Sequence, residues 1–390
     1  MNYQMYVPTR VLFGPGQLSA LHQQTMPGKK AMVVISSGKS TRASGALNRT
    51  LEQLKLAETE AVVFDRVSAN PLKATVEEGA AFARSNGCDF VVALGGGSVL
   101  DAGKIMAMYA PQPGELWDYV AGATGKNQPL VNAPLPVIAI TTTAGTGSEV
   151  DAWGVVTNPE TNEKIGCGGM DSLYPVLAVV DPELMRTVPP KFPAYQGFDA
   201  LFHSTEGYIS AAANPMSELV ELSAIENVGK YLPRAVRDGN DLEARTHLAF
   251  ANTMSGHSMV VGSCTSEHSM EHAMSAYHPD LPHGAGLIMI SKAYYTHFIE
   301  KHVCDERFVR MAKALGMADA QEPMDFITAL VKLQEDCGVA DLKMSDYGIE
   351  KGECMTLARN ARATMGGLFA CDRAPLSDGE CAAIFEKAYR

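Results

Sequence analysis

Short β-branched runs alternate with helix-length stretches through the first half of this 390-residue chain, and that alternation limits the fold more than any other feature. The runs are AMVVIS (31–36), AVVFDRV (61–67), FVVAL (90–94), PVIAI (136–140) and LAVVD (177–181). Continuous apolar strands separated by helices predict a parallel sheet covered on both faces. Beyond VDPELMRTVPPKFP the pattern changes. Prolines at 189 and 190 interrupt regular structure, and the residues after them have helical period with few strand-like runs. One core seldom grows to this length, and 46% apolar residues can fill two. The expectation is an α/β domain, 1–187, an all-helical domain, 188–390, and a ligand cleft between them.

The formal charge of −12 opposes nucleic-acid binding, which relies on clustered Lys and Arg. No stretch approaches the roughly 18–20 apolar residues of a membrane span, and MNYQMYVPTR lacks a basic region followed by an apolar one, so a cytoplasmic protein is expected. Eight cysteines stand far apart without a CxxC pair, which favours reduced, mostly buried thiols.

LGGGSVLDAGK directly follows the 90–94 run and opens a helix. Gly95, Gly96 and Gly97 allow close approach of an anion to the first helical amides, a geometry that suits a pyrophosphate. The plainer alternative is a tight turn with Ser98 and Asp101 forming an S-x-x-D capping box. A second turn, TTTAGTGSE (141–149), ends the PVIAI run. Neighbouring parallel strands end at one edge, so Thr142, Thr143 and Thr146 are placed to serve the same ligand or simply to cap their own turn. The pattern departs from the usual dinucleotide fingerprint, because the glycines follow the third run and read GGGS. At the end of the first run, Ser36 and Ser37 are neutral, with Lys39 and Arg42 nearby. An acid there would repel a 2′-phosphate, so NADP is favoured over NAD.

In FDALFHSTEGY (198–208) a buried-type apolar stripe is flanked by Asp199, His203 and Glu206, which share a face at helical spacing. Glu206 is read either as a partner backing one of the metal-binding side chains or as a solvated acid, and the second is preferred, since an unpaired acid is rarely buried. His257, His268, His272, His278 and His283 then crowd into and just before CTSEHSMEHAMSAYHPDLPHG. A cluster of imidazoles after an Asp-x-x-x-His helix suggests a divalent metal. HSMEH is not HExxH, because Ser269 replaces the glutamate base, so a hydrolase loses its main support. Spacing alone leaves open which imidazoles bind.

PTRVLFGPG, Asn70-Pro71, GGGSVLDAGK, TTTAGTGSE, VDPELM, GFDALFHSTEGY and HSMEHAMSAYHPDLPHG, in this order through almost the whole chain, resemble the iron-containing (group III) alcohol dehydrogenase family. That resemblance implies a Rossmann-like parallel sheet joined to an all-α domain, the fold shared with dehydroquinate synthase. It implies Asp199, His203, His268 and His283 as ligands of Fe2+, Zn2+ or a similar cation, and His272 as a proton-relaying neighbour. It also implies Gly96, Gly97, Ser98, Asp101, Thr142, Thr143 and Thr146 as NADP- or NAD-binding positions, with Asn70 and Lys164 close by. PHG favours His283 over His278.

The implied activity is metal-dependent hydride transfer between a nicotinamide and a small primary alcohol or aldehyde. A lyase of the dehydroquinate synthase type would need a basic pocket that the sequence does not display, and a non-catalytic metal-binding protein would not bind a dinucleotide. QMYVPTRVLFG reads as an edge strand, and exposed edges pair with other chains, so a homodimer is expected.

Overall fold

The computed structural model describes residues 3–186 and 192–390. The chain divides into one compact unit of Val7–Val188 and a second formed by Met1–Tyr6 with Pro189–Arg390. The expected boundary at 187/188, with Pro189 and Pro190, lies outside the described residues.

In the first unit, β1 (Arg10–Phe13), β2 (Lys30–Ser36), β3 (Glu60–Val67), β4 (Phe90–Gly95), β5 (Val137–Thr141) and β8 (Leu177–Val180) form one six-stranded sheet. Its order is β1-β8-β5-β4-β2-β3, and every pairing is parallel. The β-branched runs are the strands: β2, β4, β5 and β8 are buried along almost their whole length, whereas β3, at the edge, is largely half-buried or exposed. Met32, Val33, Val34, Val91, Val92, Ile138 and Ile140 are all fully buried, and burial of such a side chain contributes about 1.5–3 kcal/mol. VLF in the opening segment supplies the edge strand β1, as expected, paired with β8. An antiparallel hairpin, β6 (Trp153–Asn158) with β7 (Glu163–Gly168), adds to the alternation read from the sequence. Its turn uses Asn162 at φ 50°, a conformation that asparagine tolerates better than most residues.

The register of β4 on β5 sets Gly95 beside Thr141, so the segments that leave the two strands emerge together. Helix α1 (Lys73–Ser85) follows β3, and helix α2 (Gly97–Tyr109) begins two residues beyond β4.

The second unit is helical among its described residues. Its site-bearing helices are α3 (Phe192–Ile209), α4 (Pro215–Arg237), α5 (Leu242–Val261), α6 (Ser266–Tyr277), α7 (His283–Glu300) and α8 (Cys354–Phe369). Helix α3 is buried nearly all round: Phe198, Leu201, Phe202 and Tyr208 are inaccessible to solvent, and Phe202 stacks on Tyr295 of α7. Such a helix is held by packing, not by propensity. Its polar side chains therefore need partners inside the protein.

Candidate metal centre and dinucleotide turns

Asp199 and His203 lie one turn apart on α3, His268 on the first turn of α6, and His283 at the first position of α7. Their side chains converge. Asp199 Oδ1 lies 3.4 Å from His203 Nδ1, 3.5 Å from His268 Nε2 and 3.4 Å from His283 Nε2. Asp199 Oδ1 and His268 Nε2 are buried with no hydrogen-bond partner. A tetrahedral cation with bonds of about 2.0–2.1 Å has ligand-to-ligand edges of about 3.4 Å. Asp199, His268 and His283 thus form a grouping that fits a divalent metal, and His203 stands beside it on the same carboxylate oxygen.

The electrostatics agree. Burial opposes ionisation of Asp199, but His203 and His283 outweigh it and hold the carboxyl well below its usual range. Burial likewise opposes a charged His268, yet Glu206 and Asp199 push its pKa up to about 10. The cluster is arranged to enclose positive charge.

Glu206 overturns the expectation of a solvated acid. It is fully buried and meets His268 Nδ1, while the Thr265 amide and hydroxyl donate to its Oε2 at 2.8 and 3.0 Å. The solvation argument failed because α3 has no solvent face at this position. Glu271, also buried, backs His283 in the same way through Nδ1. Room for it comes from Gly286, where a Cβ would lie 2.7 Å from Glu271 Cγ. Imidazole ligands commonly carry such an outer carboxylate, which fixes the tautomer and turns Nε2 toward the metal. Sequence reasoning passed over Glu271, although it sits three residues after His268. Glu267 is fully buried as well, and burial, then Glu206, hold its carboxyl well above its usual range.

His272 lies beside the cluster, its ring centroid 5.3 Å from that of His283, with Nδ1 2.7 Å from Met365 Sδ. Met365 sits where α8 departs from helical geometry. His278 is turned away and pairs with Glu353 at 3.2 Å, and His257 belongs to none of the metal-capable groupings among the described residues. Cys264, which sequence reasoning did not single out, groups with His203 and His268.

In the α/β unit the two turns touch. A Cβ on Gly96 would lie 2.9 Å from Thr143 Cγ2, and one on Gly97 2.2 Å from Thr146 Cγ2. The glycines are therefore required first by the neighbouring turn. Gly96 caps α2 without any side-chain hydrogen bond, so the S-x-x-D capping box is absent. Asp101 instead accepts from Ser148 Oγ at 2.5 Å and from the Val155 amide at 3.0 Å, which clamps the second turn and β6 onto α2. Buried Lys104 completes the clamp, donating to Ser148 O at 2.8 Å and to Asp151 Oδ1 at 2.7 Å. Ser98 is half-buried in the first turn of α2, and the Thr142 amide donates to Gly95 O at 2.9 Å. Ser36 ends β2, with Ser37 just beyond it. Asn70, at φ 51°, lies between β3 and α1, and Lys164 is buried on β7 opposite Thr157. The uncapped first turn of α2, beside small residues, is a cradle suited to a pyrophosphate.

Residues 8–182 match the family described as iron-containing alcohol dehydrogenase, and residues 193–389 match the C-terminal part of the Fe-containing alcohol dehydrogenase family. The chain belongs to the iron-containing alcohol dehydrogenase family. Among the relatives of this alcohol dehydrogenase-type oxidoreductase, the 1,3-propanediol dehydrogenase of Klebsiella pneumoniae is 33% identical over the full length of both chains. The NADH-dependent butanol dehydrogenase A of Clostridium acetobutylicum is 27% identical, again over the full length of both. Among solved structures, an archaeal halo-thermophilic alcohol dehydrogenase from a Red Sea brine pool superposes with a TM-score of 0.94 at 32% identity, covering 100% of this chain and 99% of that one.

Proposed function

We propose that Asp199, His203, His268 and His283 hold one divalent cation and that the turns around Gly96–Ser98 and Thr142–Thr146 hold a nicotinamide dinucleotide, for oxidoreduction of a small primary alcohol or aldehyde. The observation that carries this is the ring of three imidazole nitrogens, 3.4–3.5 Å from a single buried carboxylate oxygen. When bound, such a cation supplies Lewis acidity toward an alcohol or carbonyl oxygen. The chain's own part is to orient and to exclude water. Glu206 and Glu271 keep a proton on Nδ1 of His268 and His283, and the buried walls of α3 and α6 limit solvent access. His272 moves the substrate proton; its Nδ1 meets a weak acceptor, the Met365 thioether.

The family supports iron as the cation, although one carboxylate and three imidazoles also suit Zn2+, Co2+ or Ni2+. NADP is the preferred dinucleotide in this reading. Ser36 and Ser37 are neutral, Lys39 is exposed nearby, and Asp65, the acid on the neighbouring strand, is neutralised by Arg42 at 2.6 Å. The exposed edge strand β1 supports a homodimer, and a cytoplasmic location accords with the reduced cysteines: all eight are unpaired. No helix among the described residues is long and apolar enough to cross a membrane.

The test is a panel of small alcohols and aldehydes assayed with NADH and NADPH, alongside elemental analysis of the fresh protein. Dinucleotide-linked turnover with stoichiometric metal is expected, with the lower KM for NADPH. A lower KM for NADH would overturn the NADP assignment, and absence of any dinucleotide-linked turnover would overturn the activity.

A further inference from the structure

A chain of polar groups runs from His268 to the C-terminal end of α8. Glu206 Oε1 meets His268 Nδ1, and Oε2 accepts from both the amide and the hydroxyl of Thr265. The Tyr294 hydroxyl donates its one proton to Thr265 Oγ1 at 2.9 Å; its oxygen also lies 3.1 Å from Ser266 Oγ and 3.2 Å from Asp372 Oδ1, and Asp372 Oδ1 accepts from the Ser266 amide at 3.1 Å. Thr265 is the N-cap of α6, yet its side chain makes no capping bond, because its hydroxyl is engaged with Glu206 and Tyr294. Tyr294 is fully buried. A phenylalanine would fill the same volume without a hydroxyl to desolvate, so the hydroxyl must be compensated by its partners.

We propose that Tyr294 and Asp372 are positioning residues of the metal centre: through Thr265 they lock the Glu206 carboxylate, which keeps the His268 proton on Nδ1 and presents Nε2 as a ligand. This rests on the metal-binding reading above. A carboxylate accepts only, so once Oε2 is saturated by Thr265, Oε1 is committed to the imidazole N–H. Loosening Thr265 lets Glu206 rotate, and the ligand tautomer is no longer imposed.

The experiment uses the full-length protein, stripped of metal and titrated with Co2+ against a chromophoric chelator, with the visible Co2+ absorption as a second readout. Glu206→Gln should weaken Co2+ binding by about ten- to a hundredfold. Tyr294→Phe should weaken it by about three- to tenfold and Asp372→Asn by less, the scale of one neutral hydrogen bond. The deciding comparison is Tyr294→Phe made on Glu206→Gln, where its effect should fall below about twofold, because the route to His268 is already cut. If Glu206→Gln does not fold, Thr265→Val supplies the severed background. An unchanged affinity in Tyr294→Phe, or an equal loss in both backgrounds, overturns the inference and leaves the metal site standing. Wild-type protein that fails to bind one Co2+ overturns both.

Discussion

Glu221 offers a quantitative test of how the metal-bearing helix is held. It lies on α4, fully buried, where Ser258 Oγ donates to its Oε1 at 3.1 Å, and it packs against Gly207 of α3, where a Cβ would come within 2.6 Å of that oxygen. Ser258 also reaches the backbone carbonyl of His203, so this acid is one residue removed from a proposed ligand. Burial pushes its carboxyl up to about 8, from an ordinary value of 4.5. The folded protein therefore keeps a proton that the unfolded chain has lost between those two values. Stability from this group is full below pH 4.5, declines as pH rises, and is gone above about 8. The slope is about 1.4 kcal/mol per pH unit, or about 3 kcal/mol between pH 5.5 and 7.5. Glu221→Gln, isosteric and neutral, lacks that slope. Urea unfolding of metal-stripped wild type and variant at both pH values isolates it, since the difference cancels every other titrating group and metal binding is removed. Wild type should lose about 3 kcal/mol relative to the variant as pH rises. Parallel profiles, with the difference unchanged to within about 0.5 kcal/mol, would refute the idea that Glu221 is buried as a neutral acid.

Three further outcomes are expected. Gly97→Ala should raise the dinucleotide KM and destabilise the protein by about 1–3 kcal/mol, because its Cβ would overlap Thr146 Cγ2 at 2.2 Å. Adding Thr146→Ala should recover most of the stability in urea unfolding. Lys104→Met should destabilise by about 3–5 kcal/mol, since it leaves the Asp151 carboxylate buried without its cation; a loss under about 1 kcal/mol would mean that the clamp does not hold the turn. His272→Ala should slow turnover while leaving the metal content intact, as checked by steady-state rates and elemental analysis of the same preparation.

The sheet was legible because a parallel strand buried on both faces must be continuously apolar, and FVVAL or PVIAI cannot serve well elsewhere. The β6–β7 hairpin was less so: WGVVTN and EKIGCG mix glycine, charge and apolar residues too freely to carry a clean period. Asp199, His203, His268 and His283 came forward through chemical type and family resemblance, and the fold brings them within 3.5 Å of one carboxylate oxygen. For Glu206 the sequence favoured the solvated alternative over the ligand-backing one, because the cost of burying an acid is visible in the sequence and its partners are not. Those partners, Thr265 and His268, lie 59 and 62 residues away, and only tertiary structure supplies them. Asp101 illustrates the converse: a motif residue whose hydrogen bonds hold Ser148 and Val155 in place.

The most direct measurement is metal content per chain, set beside turnover, in the wild type and in His268→Ala after both are stripped and reconstituted with Fe2+ or Zn2+ under anaerobic conditions. One cation per wild-type chain with restored turnover, and neither in His268→Ala, is the predicted result. Full turnover by the stripped wild type, or a stoichiometric cation retained by His268→Ala, would contradict it.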